Sequence, residues 1–179
     1  MLYRTRTYIA GDWDTDKNAV EQLTAWNESK HWGLSFSDAH KLTQARDSSL
    51  NCSIKSSLKV RLDASKCFVL IVGKNTKTVT AGSCQYCDSY RSSNYSCARG
   101  YSVDYRSYIQ YECEEALKAY NNGEMKIVVL YNACSVDKSK CPDVLRTIGI
   151  HSPMGKVYDD GSCYYDYQTV RNAFEKAGL

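Results

Sequence analysis

Two runs of the chain, CFVLIVG at 67–73 and KIVVLYN at 126–132, limit the fold more than any other feature. Each is continuously apolar and only strand-length, and strands read this way when helices cover both faces of a parallel sheet. The segments between and around them carry helical spacing. Ala19, Val20, Leu23 and Trp26 recur at that spacing in 17–28, with Asp14 and Asp16 ahead of them as caps. Leu50, Ile54, Leu58 and Leu62 step by four, and Val170, Phe174 and Ala177 mark a last helix. TRTYIA (5–10) and WGLSFSD (32–38) read as two further short strands. Strand and helix therefore alternate four times, which predicts an α/β protein with a parallel sheet. Ligands of such sheets bind outside the carboxyl ends of the strands, so the loops there are the first place to look for function.

The remaining composition excludes several classes. Twenty-three basic and 20 acidic residues, in no obvious block, give a net charge of +3 and no electrostatic case for nucleic acid or an anionic membrane. The longest apolar run is far too short to span a bilayer. The N-terminal MLYRTRTYIAGDWD lacks the apolar centre of a signal peptide, so a cytoplasmic location is expected. A chain of 179 residues is most simply one domain, 1–179. The nine cysteines are then expected as thiols or metal ligands rather than as a disulfide framework.

SYIQYECEEALKAY, residues 107–120, holds three glutamates, and helical geometry separates them. Ile109, Cys113, Ala116, Leu117 and Tyr120 form one apolar face. Glu114 and Glu115 lie more than ~110° from its middle and read as solvated charges. Glu112 lies only about 80° away, beside Tyr108, and reads either as a partly desolvated shoulder carboxylate or, on this segment alone, as a rim glutamate with its head in water. Just before this helix, residues 82–107 read as an insertion rich in Ser, Gly, Tyr and Cys. Its tyrosines, with Tyr108, offer either a stacking surface for a base or the packing of a loop that lacks aliphatic residues. Its CQYC pair, Cys84 and Cys87, with Cys97 following, suits either a structural zinc or reduced cysteines packing a loop. No fourth ligand follows at a familiar spacing, which leaves Cys134, Cys141 and His151 as candidates; Cys52 and Cys163 have no informative neighbours.

TYIAGDWD, LSFSDAH (34–40), SSLKVRLDASKCFVLIVGKNT with its G-x-x-T turn (Gly73–Thr76), the glutamate helix and KIVVLYN together resemble the bacterial TIR-like proteins, including the TIR subunits of Thoeris anti-phage systems. The resemblance covers roughly residues 3–132. It implies a flavodoxin-like, three-layer fold with a central parallel sheet of about five strands and helices on both faces. In that family a glutamate near the start of the helix after the central strand cleaves NAD+, behind an aromatic-x-x-aromatic pattern. Here that pattern is Tyr108 to Tyr111, and the matching glutamate is Glu112.

The resemblance further implies that Gly11, Asp12, Trp13, Asp38, Lys74, Asn75, Thr76 and Tyr108 surround NAD+ as substrate, with His40 flanking the pocket. No metal or other cofactor is needed for the chemistry. A nucleotide product would signal to a separate effector, and activation would involve self-association. Two rivals share the architecture: a nucleoside deoxyribosyltransferase with a glutamate nucleophile, and a non-catalytic TIR scaffold. The lack of an aspartate at the end of the central strand counts heavily against a receiver domain.

Overall fold

The two apolar runs lie side by side at the centre of the sheet. In this computed structural model, which describes residues 5–30, 34, 36–38 and 50–179, β3 (Cys67–Val72) pairs in parallel with the later strand Lys126–Tyr131. Every residue of β3 is buried, as a strand covered on both faces requires. β1 (Thr5–Ala10) lies on the other side of β3, and β2 (Phe36–Asp38) lies beyond it. Between β3 and its later partner comes a small antiparallel hairpin, β4 (Tyr90–Arg91) with β5 (Ser96–Cys97). The partner is therefore β6, and β7 (Ile150–Pro153) closes the sheet on its far side. The order is β2-β1-β3-β6-β7, parallel throughout. Without the hairpin this is the 2-1-3-4-5 order of a flavodoxin-like sheet, as the resemblance implies.

Alternate residues of each strand feed two separate cores. Tyr8, Phe68, Leu70, Val129 and Tyr131 meet α2 (Asn51–Asp63) and α3 (Tyr108–Asn121) on one face. Ile9, Val69, Ile71, Val128 and Leu130 meet α1 (Lys17–Glu28) and α4 (Tyr167–Lys176) on the other. The odd–even split is the period of the pleat, and it fixes which side chains can reach which helix. Tyr8 therefore points at α3 while Ile9 points at α1.

The crossover from β6 to β7 is not helical; two short 3-10 turns, Lys138–Lys140 and Asp143–Leu145, make it, with Cys141 and Leu145 buried beneath. The strand expected at 32–38 is described only at Phe36–Asp38, its remainder lying partly outside the described residues. The expectations for the cysteines and for Glu115 need correction. The nine cysteines are not all thiols. Cys134 and Cys163 form a disulfide with Cα atoms 5.9 Å apart, joining the segment after β6 to the hairpin of β8 (Gly155–Val157) and β9 (Cys163–Tyr165). Glu115, expected in solvent, has a side chain only 10% exposed, between Lys118 at 2.6 Å and Lys59 at 3.5 Å. Among the described residues no helix is long and apolar enough to cross a membrane.

The insertion is held chiefly through polar ties to α2 rather than by its tyrosines. Buried Lys55 donates to the carbonyls of Arg106 at 2.7 Å and Asp104 at 3.3 Å. Asn51 donates to the Ser83 carbonyl at 3.0 Å and accepts from the Tyr108 hydroxyl at 2.9 Å. Tyr90 and Tyr105 meet edge to face, and Tyr86, Tyr95, Tyr101 and Tyr105 stand exposed.

Candidate active site

The first turn of α3 is set before Glu112 is reached. Ser107 caps the helix by accepting from the Gln110 N–H at 3.1 Å, and the Gln110 side chain accepts from the Ser107 N–H at 2.9 Å. This reciprocal capping box satisfies two of the orphan donors of a helix start. The Tyr108 N–H donates to the Ala81 carbonyl at 2.8 Å, which ties the helix to the end of the β3 loop. Gly82 lies under the Tyr108 ring: a Cβ there would sit 2.5 Å from ring carbons, and its φ of +94° suits glycine alone.

Glu112 follows one turn later and is only 6% exposed. The hydroxyl of Tyr8, on β1, donates to its Oε1 in a short contact. Tyr8 is fully buried, and its ring stacks on Phe68 with centroids 5.9 Å apart. A carboxylate leaves water at low cost only with donors around it, and Tyr8 is one that the sheet holds in place.

Glu112 lies on the wall of a cleft of about 240 Å³ at the carboxyl edge of the sheet. Gly11, Asp12, Trp13 and Tyr108 line the same cleft, together with Asp14, Ile54, Leu58, Val79 and Ala81. Five of the residues expected from the sequence are thus brought to one place. Among the described residues, the charged side chains lining the cleft are Asp12, Asp14 and Glu112, all acids. Asp12 shapes its own loop: its carboxylate accepts from the Asp14 N–H and the Thr15 hydroxyl, and its carbonyl accepts from the Asp16 N–H at 2.7 Å. Trp13 is left 47% exposed at the mouth.

Behind that loop Asp16 is buried and accepts from the Asn132 amide at 2.8 Å; burial pushes its carboxyl above the ordinary value. Around Tyr108, burial first and then Cys87, Cys84 and Cys52 push the phenol up to about 12. The Tyr111 ring lies under Arg106, whose guanidinium carbon is 4.9 Å from the centroid.

Other expected residues go elsewhere. Lys74 is exposed, and the Asn75 carbonyl accepts from the N–H groups of Thr78 and Val79. Thr76 is buried, with its hydroxyl accepting from the Gly73 N–H at 2.8 Å. These three build the turn after β3 and do not line the cleft: Asn75 and Thr76 use polar groups within the turn, and Lys74 is exposed. Asp38 ends β2 opposite Thr7, but its side chain and all of His40 lie outside the described residues. The sequence reading missed Tyr8. Its signal was a tyrosine within the strand TRTYIA, since a buried tyrosine hydroxyl needs a partner.

For the cysteines, Cys84, Cys87 and Cys97 gather beside Cys52, while the three expected fourth ligands are engaged apart from them. Cys134 is in the disulfide, Cys141 is buried next to Tyr131, and His151 meets the Tyr131 hydroxyl and the carbonyls of Leu145 and Ile148.

Among curated proteins none matches the chain. One solved structure similar to it is the CMP N-glycosidase BcmB of Clostridium botulinum, 11% identical, with 96% of this chain and 98% of that chain covered at a TM-score of 0.43. Residues 8–81 match the family described as Thoeris protein ThsB, TIR-like domain. The matched stretch carries Tyr8, the 11–14 loop and the α2 wall of the cleft, and it ends before Glu112. On that match residues 8–81, less than half of the chain, are similar to the TIR-like domain of Thoeris protein ThsB.

Proposed function

We propose that this chain cleaves the nicotinamide–ribose bond of NAD+ and releases an ADP-ribose-derived nucleotide that acts as a signal in anti-phage defence. The observation that carries the reading is a buried carboxylate, Glu112, held by the Tyr8 hydroxyl on the wall of an acidic cleft flanked by Trp13 and Tyr108. The match to the Thoeris TIR-like family points the same way. When the C1′–N bond breaks, its electron pair leaves with the ring, so cationic nicotinamide departs neutral. Positive charge appears on the ribose, as in glycoside cleavage. A fixed carboxylate stabilises that charge as it develops, and a leaving group that departs neutral needs no acid to protonate it. The ribosyl cation is then captured by water or by a nucleophile within the same nucleotide, and the captured group loses a proton.

The test is incubation of the purified chain with NAD+ and mass spectrometry of the products. Free nicotinamide with an equal amount of an ADP-ribose-derived product is expected. NAD+ left intact while a deoxynucleoside exchanges its base with added free base would overturn the reading in favour of a transferase. The same reading includes self-association on activation. Turnover per chain should therefore rise with protein concentration, in step with particle size by light scattering. A constant specific activity from an isolated monomer would remove that part.

A further inference from the structure

Helix α2 and the insertion are brought together by a feature that the cleft chemistry does not use. Cys52 stands in the first turn of α2, and Cys84 and Cys87 flank a 3-10 turn closed by the Cys87 N–H on the Cys84 carbonyl at 3.0 Å. The chain then runs through the β4–β5 hairpin, where Cys97 pairs with Tyr90. All four residues line one small space of about 10 Å³, roughly one water-sized sphere. All four are free of disulfides, and the Asp104 N–H donates to the Cys84 sulfur at 3.3 Å. Such N–H···S bonds support a thiolate as metal ligands are supported by their outer partners.

We infer that Cys52, Cys84, Cys87 and Cys97 form a four-thiolate zinc site that fastens the insertion to the start of α2. The four residues line one space, and among the described residues no three His, Cys, Asp or Glu side chains are set to hold an ion as they stand. Each sulfur turns on one torsion with three staggered wells, so holding zinc, at ~2.3 Å per bond, would require these side chains to turn inward. Four thiolates in a tetrahedron are the ligand set of a structural zinc, with no position left open for chemistry. The segment also needs such a staple. Between residues 82 and 107 its aliphatic side chains are Ala98 and Val103, and four of its tyrosines stand in solvent. A stretch with so little to bury is commonly held by metal or disulfide. Cys52 has no sequence neighbour that marks it as a ligand; only the packing of α2 on the insertion supplies it.

Elemental analysis of the full chain, purified without added metal, tests the assignment independently of turnover. About one zinc per chain is expected to survive dialysis, with retention at least roughly tenfold weaker in Cys52→Ser. Replacement of zinc by cobalt in the unaltered chain covers the case in which that variant fails to fold. The thiolate-to-cobalt absorption counts ligands, and four are expected. Negligible zinc, iron in its place, disulfides among these cysteines, a count of three or fewer, or full retention in a folded Cys52→Ser would overturn it.

Discussion

Glu112→Gln should lower NAD+ turnover by more than ~100-fold, the scale of losing one fixed electrostatic stabiliser of a transition state. Gln keeps the volume of Glu and an oxygen that can accept from the Tyr8 hydroxyl. It removes only the negative charge that the ribosyl cation needs. Because Glu112 is only 6% exposed, the neutral side chain should also be tolerated by the fold, and thermal unfolding should stay near that of the parent. The comparison needs a charge-matched control away from the cleft. Glu115 does not serve, since its side chain is 10% exposed and lies between Lys59 and Lys118. Glu124 is exposed beyond the end of α3, and Glu124→Gln should leave turnover unchanged. A folded Glu112→Gln variant that turns over NAD+ at the parent rate would end the assignment.

The parts of this fold that were legible in the sequence are those whose pattern is local. The strands 67–72 and 126–131 announced themselves by unbroken apolar character, and α2 by leucines and isoleucine four apart. The helical angle of Glu112 set it apart from Glu114 and Glu115, but its burial to 6% exposure comes from the strand and helix packed against it. β7 escaped because IHSP is short, half-buried and polar, and takes its strand character from pairing with β6. Glu115 was misplaced for a related reason. Its helical angle faces away from the apolar stripe, but α2 packs alongside and brings Lys59 over it. Non-local pairings were the least legible: Tyr8 with Glu112, Cys134 with Cys163, and Cys52 beside the CQYC turn. Nothing in the neighbouring residues encodes them; they arise from which strand lies next to which.

Tyr8→Phe is expected to cost roughly tenfold or more in turnover, because a hydrogen bond to a charged group contributes about 1.5–3 kcal/mol. The ring that stacks on Phe68 is kept, so the core on this face of the sheet should stay closed and stability should fall only modestly. What disappears is the donor that holds one carboxylate oxygen of Glu112 in place. Tyr8 touches no substrate atom in this argument; it acts through Glu112 as a positioning residue. A pH profile separates that role from a merely structural one. A hydrogen bond donated to a carboxylate favours the ionised form, so its loss favours the proton. Turnover that depends on the ionised carboxylate should then fail at a higher pH on the acid side in Tyr8→Phe than in the parent. Equal loss at every pH, with the acid limb unmoved, would assign Tyr8 to packing and leave the orientation of Glu112 to other groups.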